Sequence, residues 1–518
     1  MTETVMPETE NARNSRRIVS NTLALYGRMA LATVTGMYTS RIVLQMLGET
    51  DNGIYSVVGS LATMCSFLIA AMSQATQRFL AYDLGERNYP QLSRTFSTFV
   101  NIYSLLALLV MLLVGPLGAW WLNSGHPNIP ADRLTAANWV FFLTIAMVII
   151  DVLVIPYTSM IIAHERLKVF ALVSVADVGL RLAIALMLGM FGYDRMIFFA
   201  CLSLGVTLLM QSFYVFFCLR NYTECKYRLV KDRQLWRTLL SYAGWNLWGN
   251  AAYMTMTTGI NIVINMFFMP VVNTARDMAY KLTGALSGLY VNLQMAINPQ
   301  IIKSYAADNR DFMLKLLFRG AKFSFFLMQF VCLPVIFETD FVLKIWLGSP
   351  QSHLMVLFAR LAAINTLIDC ISGTLMTAAQ ATGQIKLYQS IIGGLLLLIL
   401  PVSYLLLWLG YPPQATAYVS ICVSVIALFV RIAIVSRLMN MPFVAFIRNT
   451  LVPAWLCLAL ALPLPWWLCR IMEPGWGRFL AVCLLPGIAG WWLMYFIGLT
   501  PEERTLLRRK KTDRQTSP

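Results

Sequence analysis

Charge is scarce in this chain. Lys, Arg, Asp and Glu make up 12% of its 518 residues, where a soluble protein carries about a quarter. A soluble chain of this length would divide into several domains with polar surfaces, so that class is excluded. Histidine is nearly absent, and His126, His164 and His353 lie too far apart to form a cluster. The ten cysteines are scattered, mostly inside apolar stretches and without metal-ligand spacing. They read as small apolar packers rather than disulfides or zinc ligands. No G-x-x-x-x-G-K-S/T loop is present, so nucleotide hydrolysis by that route is excluded, and neither H-E-x-x-H nor G-x-S-x-G occurs. Long polar loops are missing as well. The longest break, Asn221 to Arg237, is too small for a folded domain, which leaves no room for a soluble catalytic module.

What the chain has is apolar sequence. Hydrophobic residues reach 58%, the mean hydropathy is +0.66, and apolar runs recur from residue 18 to residue 498 with short polar breaks. The fold class is therefore all-α, a polytopic membrane protein. The apolar runs predict fourteen spans, roughly at 18–46, 53–82, 94–122, 135–163, 168–191, 195–220, 238–268, 272–303, 313–337, 353–380, 387–409, 413–438, 446–469 and 476–498. The first run is too long for a signal-peptide core and lacks a small-residue cleavage site, so it is expected to be a retained span. Lys and Arg gather in alternate loops, above all in "KYRLVKDRQLWR" and "RTLLRRKKTDR", which predicts cytoplasmic tails at both ends. The net charge of +16 then reflects topology and contact with anionic headgroups rather than nucleic-acid binding.

An internal repeat is visible. "DVLVIPYTSMIIAHERLKVF" starts at Asp151 and "DCISGTLMTAAQATGQIKLY" at Asp369. Each holds an Asp and a Lys seventeen residues apart (168 − 151 and 386 − 369), an Ala at one shared offset, and an aromatic two residues after the Lys. "QRFLAYDLGER" from Gln77 and "QIIKSYAADNR" from Gln300 give a weaker second match. The expected organisation is a basic tail at 1–17, an N-lobe of six helices at 18–220 and a linker at 221–237. A C-lobe of six helices at 238–440, two extra helices at 441–498 and a basic tail at 499–518 follow. In transporters such halves meet at a central substrate site.

Ionisable groups at bilayer depth are functional candidates, in competition with snorkelling and structural pairing. Arg28 and Arg41 of the first span lie about 20 Å apart along the axis and about 140° apart around it, so they form no single clamp. Asn21, Arg28, Thr35 and Thr39 share one stripe, which should face a water-filled cavity or a partner helix. For Arg41, near the outer end, snorkelling or pairing competes with a substrate role. Gln74 and Arg78 share a face near the cytoplasmic boundary. Asp177 and Arg181 stand at i,i+4 near mid-membrane. They read as a self-neutralised pair, or as an arginine that exchanges its Asp for an anionic substrate, or as a proton-accepting Asp. Asp277 and Lys281 have the same spacing, which leaves Arg276 nominally unpaired. Asp151, Arg360, Asp369 and Arg431 add further charges. Asn246, Asn250, Met254, Thr257, Asn261 and Asn265 follow helical spacing along the seventh span, flanked by Trp245 and Trp248, which read as interfacial belt residues. Basic residues outnumber Asp in the spans, and forked arginine donors suit a phosphate or pyrophosphate.

The stretch "SRIVLQMLGETDNGIYSVVGSLATMCSFLIAAMSQATQRFLAYDLGERN", with "AHERLKVFA" and "QATGQIKLY", resembles bacterial polysaccharide flippases. These belong to the multidrug/oligosaccharidyl-lipid/polysaccharide exporter (MOP) superfamily. The resemblance covers essentially the whole chain. It implies two six-helix lobes around a central cavity, plus two C-terminal helices. The activity it implies is transfer of undecaprenyl-pyrophosphate-linked oligosaccharide to the outer leaflet of a bacterial inner membrane, for capsule, O-antigen or exopolysaccharide. It further implies substrate contacts at Arg28, Arg78, Arg276 and Lys281, beside Asn246, Asn250 and Asn261 of the polar stripe. Coupling to H+, to Na+ or to the membrane potential would run through Asp151, Asp177 and Asp369, with no bound cofactor or metal. The implied partners are the lipid-linked glycan, membrane lipids and polysaccharide assembly proteins. Two other classes stay open: a drug or metabolite antiporter of the same superfamily, and a membrane glycan polymerase or ligase. A cavity for cationic drugs should be acidic, and a glycan enzyme usually carries a sizeable outer loop. Both points count against the alternatives.

Overall fold

A computed structural model describes residues 8–123, 130–189, 194–228, 230–268, 270–347, 352–500 and 503–504. The side chains of Arg41 and Asn265 lie outside the described set, as do most of both basic tails. Ten helices among the described residues are long and apolar enough to cross a membrane. They coincide with ten of the fourteen expected stretches. The other four fall on three longer helices: α1 (Glu8–Gly85), α7 (Arg233–Phe267) and α8 (Pro270–Ala306). The chain is a multi-pass membrane protein. It forms two compact units, Met1–Asn250 with Ile302–Asn309, and Ala251–Ile301 with Arg310–Pro518.

In the first unit, α2 (Tyr89–Leu109) is followed by α3 (Gly115–Asn123), α4 (Leu134–Ala163), α5 (Leu167–Met187) and α6 (Arg195–Asn221). The sequence predicts a break near 47–52, yet Glu8–Gly85 is assigned as one helical element. It nevertheless doubles back. Asn21 donates to the Glu165 carbonyl at 2.9 Å, and Lys303 meets the Glu165 carboxylate at 2.6 Å. Gly85 lies against the Lys303 backbone. A straight helix would hold Asn21 and Gly85 about 96 Å apart. Asp51, between them, pairs instead with Arg133 at the opposite end of α4. The element therefore runs along α4 to Asp51 and returns. Arg133 also binds Asp194 at 2.6 Å, and Asp194 caps α6 by accepting from the Met196 and Ile197 amides. One arginine thus joins the reversal of α1 to the starts of α4 and α6. Apolar side chains fill the space between: Ile54, Val58, Val140 and Phe141 in one cluster, Met72, Phe99, Tyr103 and Val152 in another.

Gly85 is fixed by close approach rather than by its backbone angles. A Cβ there would stand 2.6–2.7 Å from the Lys303 oxygen, the Lys303 Cα and the Ala306 Cβ. Backbone cannot rotate away, so Gly85→Ala is expected to cost about 1–3 kcal/mol. A thermal-unfolding midpoint equal to that of the parent protein would refute this.

The second unit is built around α11 (His353–Ala381), which packs on α9 (Arg310–Phe337) and α14 (Ala415–Met439). A short helix, α10 (Thr339–Leu347), sits where only a loop is expected. The eleventh stretch is divided into α12 (Ile385–Leu397) and α13 (Ile399–Trp408). The chain continues through α15 (Phe443–Phe446), α16 (Val452–Ala461), α17 (Pro463–Ile471) and α18 (Trp476–Leu493), and α18 packs on α9.

Left-handed residues follow α1, α4, α8, α11 and α14: Arg87, Glu165, Asp308, Gly383 and Asn440. Such residues stop helices by satisfying the last carbonyls. Glu165 and Gly383 stand fourteen residues after Asp151 and Asp369 (165 − 151 and 383 − 369), in the register of the sequence repeat. Arg87 and Asp308 share one hydrogen-bond pattern, with Asn88 N to Asp83 O and Asn309 N to Ser304 O. Their offset is 221 residues (308 − 87), whereas pairing Gln77 with Gln300 gives 223. The backbone turn, rather than side-chain likeness, sets the register of the weaker match.

Candidate functional site

The polar groups of the first unit converge on a cavity of about 280 Å³ among α4, α5 and α6. Asp151 comes from α4, and Phe170, Ser174, Asp177 and Arg181 from α5. Thr207, Gln211 and Tyr214 come from α6. The i,i+4 spacing on α5 brings Arg181 back onto Asp177, with Nε at 3.2 and 3.0 Å from the two carboxylate oxygens. The same guanidinium reaches across with Nη2 to the Thr207 hydroxyl at 3.1 Å. Asp151 accepts from the Gln211 amide at 2.6 Å. The amide oxygen of Gln211 is buried and takes no hydrogen bond among the described residues.

Arg28 of α1 stands at the edge of this cavity. Its guanidinium carbon lies 4.9 Å from the centroid of Phe170, a lining residue. It makes no ion pair among the described residues, and its Nε is buried without a hydrogen bond. None of the four basic residues expected to contact substrate lines this cavity, and Arg28 reaches it through its contact with Phe170. Arg78 is 6% exposed and packed among Phe79, Tyr82 and Tyr242, with ring centroids 4.5–5.4 Å away. Asn246 is fully buried, and Asn250 donates to its carbonyl at 2.9 Å.

In the second unit the expected Asp277–Lys281 pair does not form. Asn261 donates to Asp277 at 2.9 Å and accepts from Arg276, while Lys281 is exposed. Arg276 is therefore not unpaired. It is 3% exposed, stacks on Tyr280 at 4.4 Å and is held by neutral oxygens. Tertiary contact with α7 outcompetes the one-turn spacing on α8. Asp369 accepts from Asn365 at 2.7 Å, and Arg431 donates to Ser372 at 2.8 Å one turn further along α11.

Sequence reasoning missed the carboxylates that reach into the helices from their ends. Glu165 serves Lys303 at 2.6 Å, Glu338 serves Arg478 at 2.5 Å and Glu503 serves Lys322 at 3.0 Å, while the exposed Asp340 pairs with Arg360 at 3.0 Å on the surface. They neutralise part of the excess of positive charge. Beside Glu165, His164 stacks on Tyr222 at 4.1 Å. Burial, with Lys303 and Arg166 nearby, pushes its imidazole down to about 4, so the ring is neutral at physiological pH. The paired bases lie more than a hundred residues from their carboxylates except Arg360, so no local spacing signals them.

No family model matches the sequence, and no curated protein matches it. Solved structures do. A mutant MATE transporter superposes with a TM-score of 0.72 at 12% identity, over 84% of this chain and 99% of the other. The chain has the MATE fold. An outward-facing multidrug resistance MATE family transporter of the MOP superfamily gives 0.69 at 13% identity, over 85% and 100%. A MOP superfamily transporter from Pyrococcus furiosus, described by the reverse polarity of its binding pocket, gives 0.70 at 12% identity, over 86% and 99%. At such identities the likeness carries the fold. The MATE fold accounts for a chain built of spanning helices without a soluble module, and it leaves the substrate to the polar groups.

Proposed function

We propose that the chain is a secondary transporter that moves an undecaprenyl-pyrophosphate-linked oligosaccharide from the cytoplasmic to the outer leaflet of a bacterial inner membrane. Both termini would be cytoplasmic, and transport would proceed by alternating access. The observation that carries this reading is Arg28. It is a half-buried guanidinium in a spanning helix, free of any described carboxylate and placed at the edge of a polar cavity. A half-buried arginine without a described counter-ion suits an anionic headgroup that arrives and leaves. Arg276, whose partners are neutral, is a second site where a pyrophosphate would find no resident carboxylate to displace. Asp151 and Asp177 serve ion coupling in this reading, Asp369 plays the corresponding part in the second unit, and polysaccharide assembly proteins supply or receive the glycan.

A drug or metabolite antiporter is the competing reading. The multidrug transporter among the structures of like fold and the two carboxylates of the cavity favour it. The two separate in proteoliposomes. Outer-leaflet exposure of a fluorescent undecaprenyl-pyrophosphate oligosaccharide is followed by quenching, in parallel with efflux of a cationic dye under an imposed proton or sodium gradient. The expected result is lipid-glycan flipping that Arg28→Ala reduces by at least about tenfold, a loss of one charge-assisted contact, and that Arg28→Lys partly restores. Dye efflux without flipping would replace this proposal by the antiporter.

A further inference from the structure

The α4–α5–α6 cavity offers oxygen atoms of the kind that hold a hard metal cation. They are the two carboxylates of Asp151 and Asp177, the Thr207 hydroxyl and the buried, unpartnered amide oxygen of Gln211. Two of these four groups already hold a side chain. Arg181 spans Asp177 and Thr207 with three contacts of 3.0–3.2 Å, and α5 delivers it from one turn away. We propose that Arg181 is the tethered resident cation of this site, and that its presence bars sodium while leaving the carboxylates open to protons. The inference rests on the ion-coupled reading of the site and names its coupling cation.

The physical argument is one of charge and space. The guanidinium keeps its charge at any working pH. A sodium ion entering beside it would meet a full positive charge at contact distance, and two of its oxygen ligands would already be engaged. A proton needs no coordination shell and adds to one carboxylate oxygen. Protonated Asp177 would release the guanidinium toward Asp151, which lies within electrostatic reach of both. Tyr55 of α1 faces Arg181, and Tyr214 of α6 faces Asp177, with Arg28 at the margin. No carboxylate of α1 lines the cavity among the described residues.

The test reads binding, not transport. Purified full-length protein is melted in sodium chloride and in choline chloride at equal ionic strength. The parent protein and Arg181→Lys, which keeps a tethered cation, are expected to show no sodium-specific shift. Arg181→Gln leaves two uncompensated carboxylates and is expected to gain a saturable, sodium-specific rise in Tm of a few degrees. Adding Asp151→Asn should abolish that gain. Should Arg181→Gln survive purification only in sodium, the same preference is seen directly. A sodium-specific shift in the parent protein that Asp177→Asn removes would overturn the proposal. So would an Arg181→Gln protein that is folded without a sodium response, or one that fails equally in both salts. Because no lipid is translocated, failure here is distinct from failure of the flippase reading.

Discussion

Replacing Glu503 by alanine is expected to destabilise the protein by about 3–5 kcal/mol, the usual cost of orphaning a buried charge. Lys322 lies on α9, about 18 Å along the helix from Arg310, and is 1% exposed. Its ammonium meets Glu503 at 3.0 Å, and Arg319 approaches the other carboxylate oxygen at 3.6 Å. Glu503 is set in place by a reciprocal cap. The Thr500 amide donates to its carboxylate at 2.8 Å, and its own amide donates to the Thr500 hydroxyl at 3.4 Å. One carboxylate just beyond the last spanning helix therefore holds two bases of α9. Without it, Lys322 must deprotonate, snorkel or drag α9 out of register. Lys322→Met fills nearly the same volume without charge. Alone it leaves Glu503 with Arg319, and combined with Glu503→Ala it should recover most of the lost stability, since a buried pair exchanged for neutral groups is often neutral in energy. Denaturant unfolding of the four proteins gives the coupling directly. Equal midpoints for Glu503→Ala and the parent would show that Lys322 finds water or lipid headgroups instead.

The fourteen apolar stretches were legible because span length is a direct consequence of bilayer thickness, and each falls on helix. The reversal of α1 was legible as two spans separated by "GETDNG", though not as a helical element that keeps its assignment through the bend. Charge partners were legible only where one helix carries both. The Asp177–Arg181 pair obeys the one-turn rule, and the same rule misplaced Asp277, because Asn261 of another helix offers a better-placed amide. Arg78 is half legible: Phe79 and Tyr82 are its neighbours in sequence, but Tyr242 comes from α7. The basic excess inferred from the spans was too large for the same reason. Basic residues were set against Asp inside the spans alone, and the fold carries Glu165, Glu338 and Glu503 inward from outside them. What survives that correction is narrower: the half-buried Arg28 and the buried Arg276, two guanidiniums without an ion pair among the described residues.

The strongest of those inward carboxylates gives the second large effect. Glu338 follows α9 directly and is 1% exposed. Arg478 of α18 grips it with Nε at 2.5 Å and Nη2 at 2.9 Å, a two-pronged geometry that only arginine offers. Cys469 of α17 donates to the same carboxylate at 3.5 Å. Nearby, Trp476 packs edge to face on Phe341 and Phe479, which are tilted against each other, with centroids 5.2–6.2 Å apart. The pair thus fastens α17 and α18 to the end of α9, with the carboxylate fully shielded and the guanidinium partly open to solvent. Glu338→Ala is expected to cost about 3–5 kcal/mol. Arg478→Ala should cost at least as much, because a carboxylate with no exposed surface is then left with a single thiol. Glu338→Leu with Arg478→Leu should lie well above either single variant. The loss should also be local before it is global. Cys469 is half-buried and leans on Glu338, so maleimide labelling of Cys469 should quicken in Glu338→Ala at temperatures where the fully buried Cys332 and Cys370 stay unreactive. Labelling of all three together would mean that the two terminal helices do not move apart from the rest of their unit.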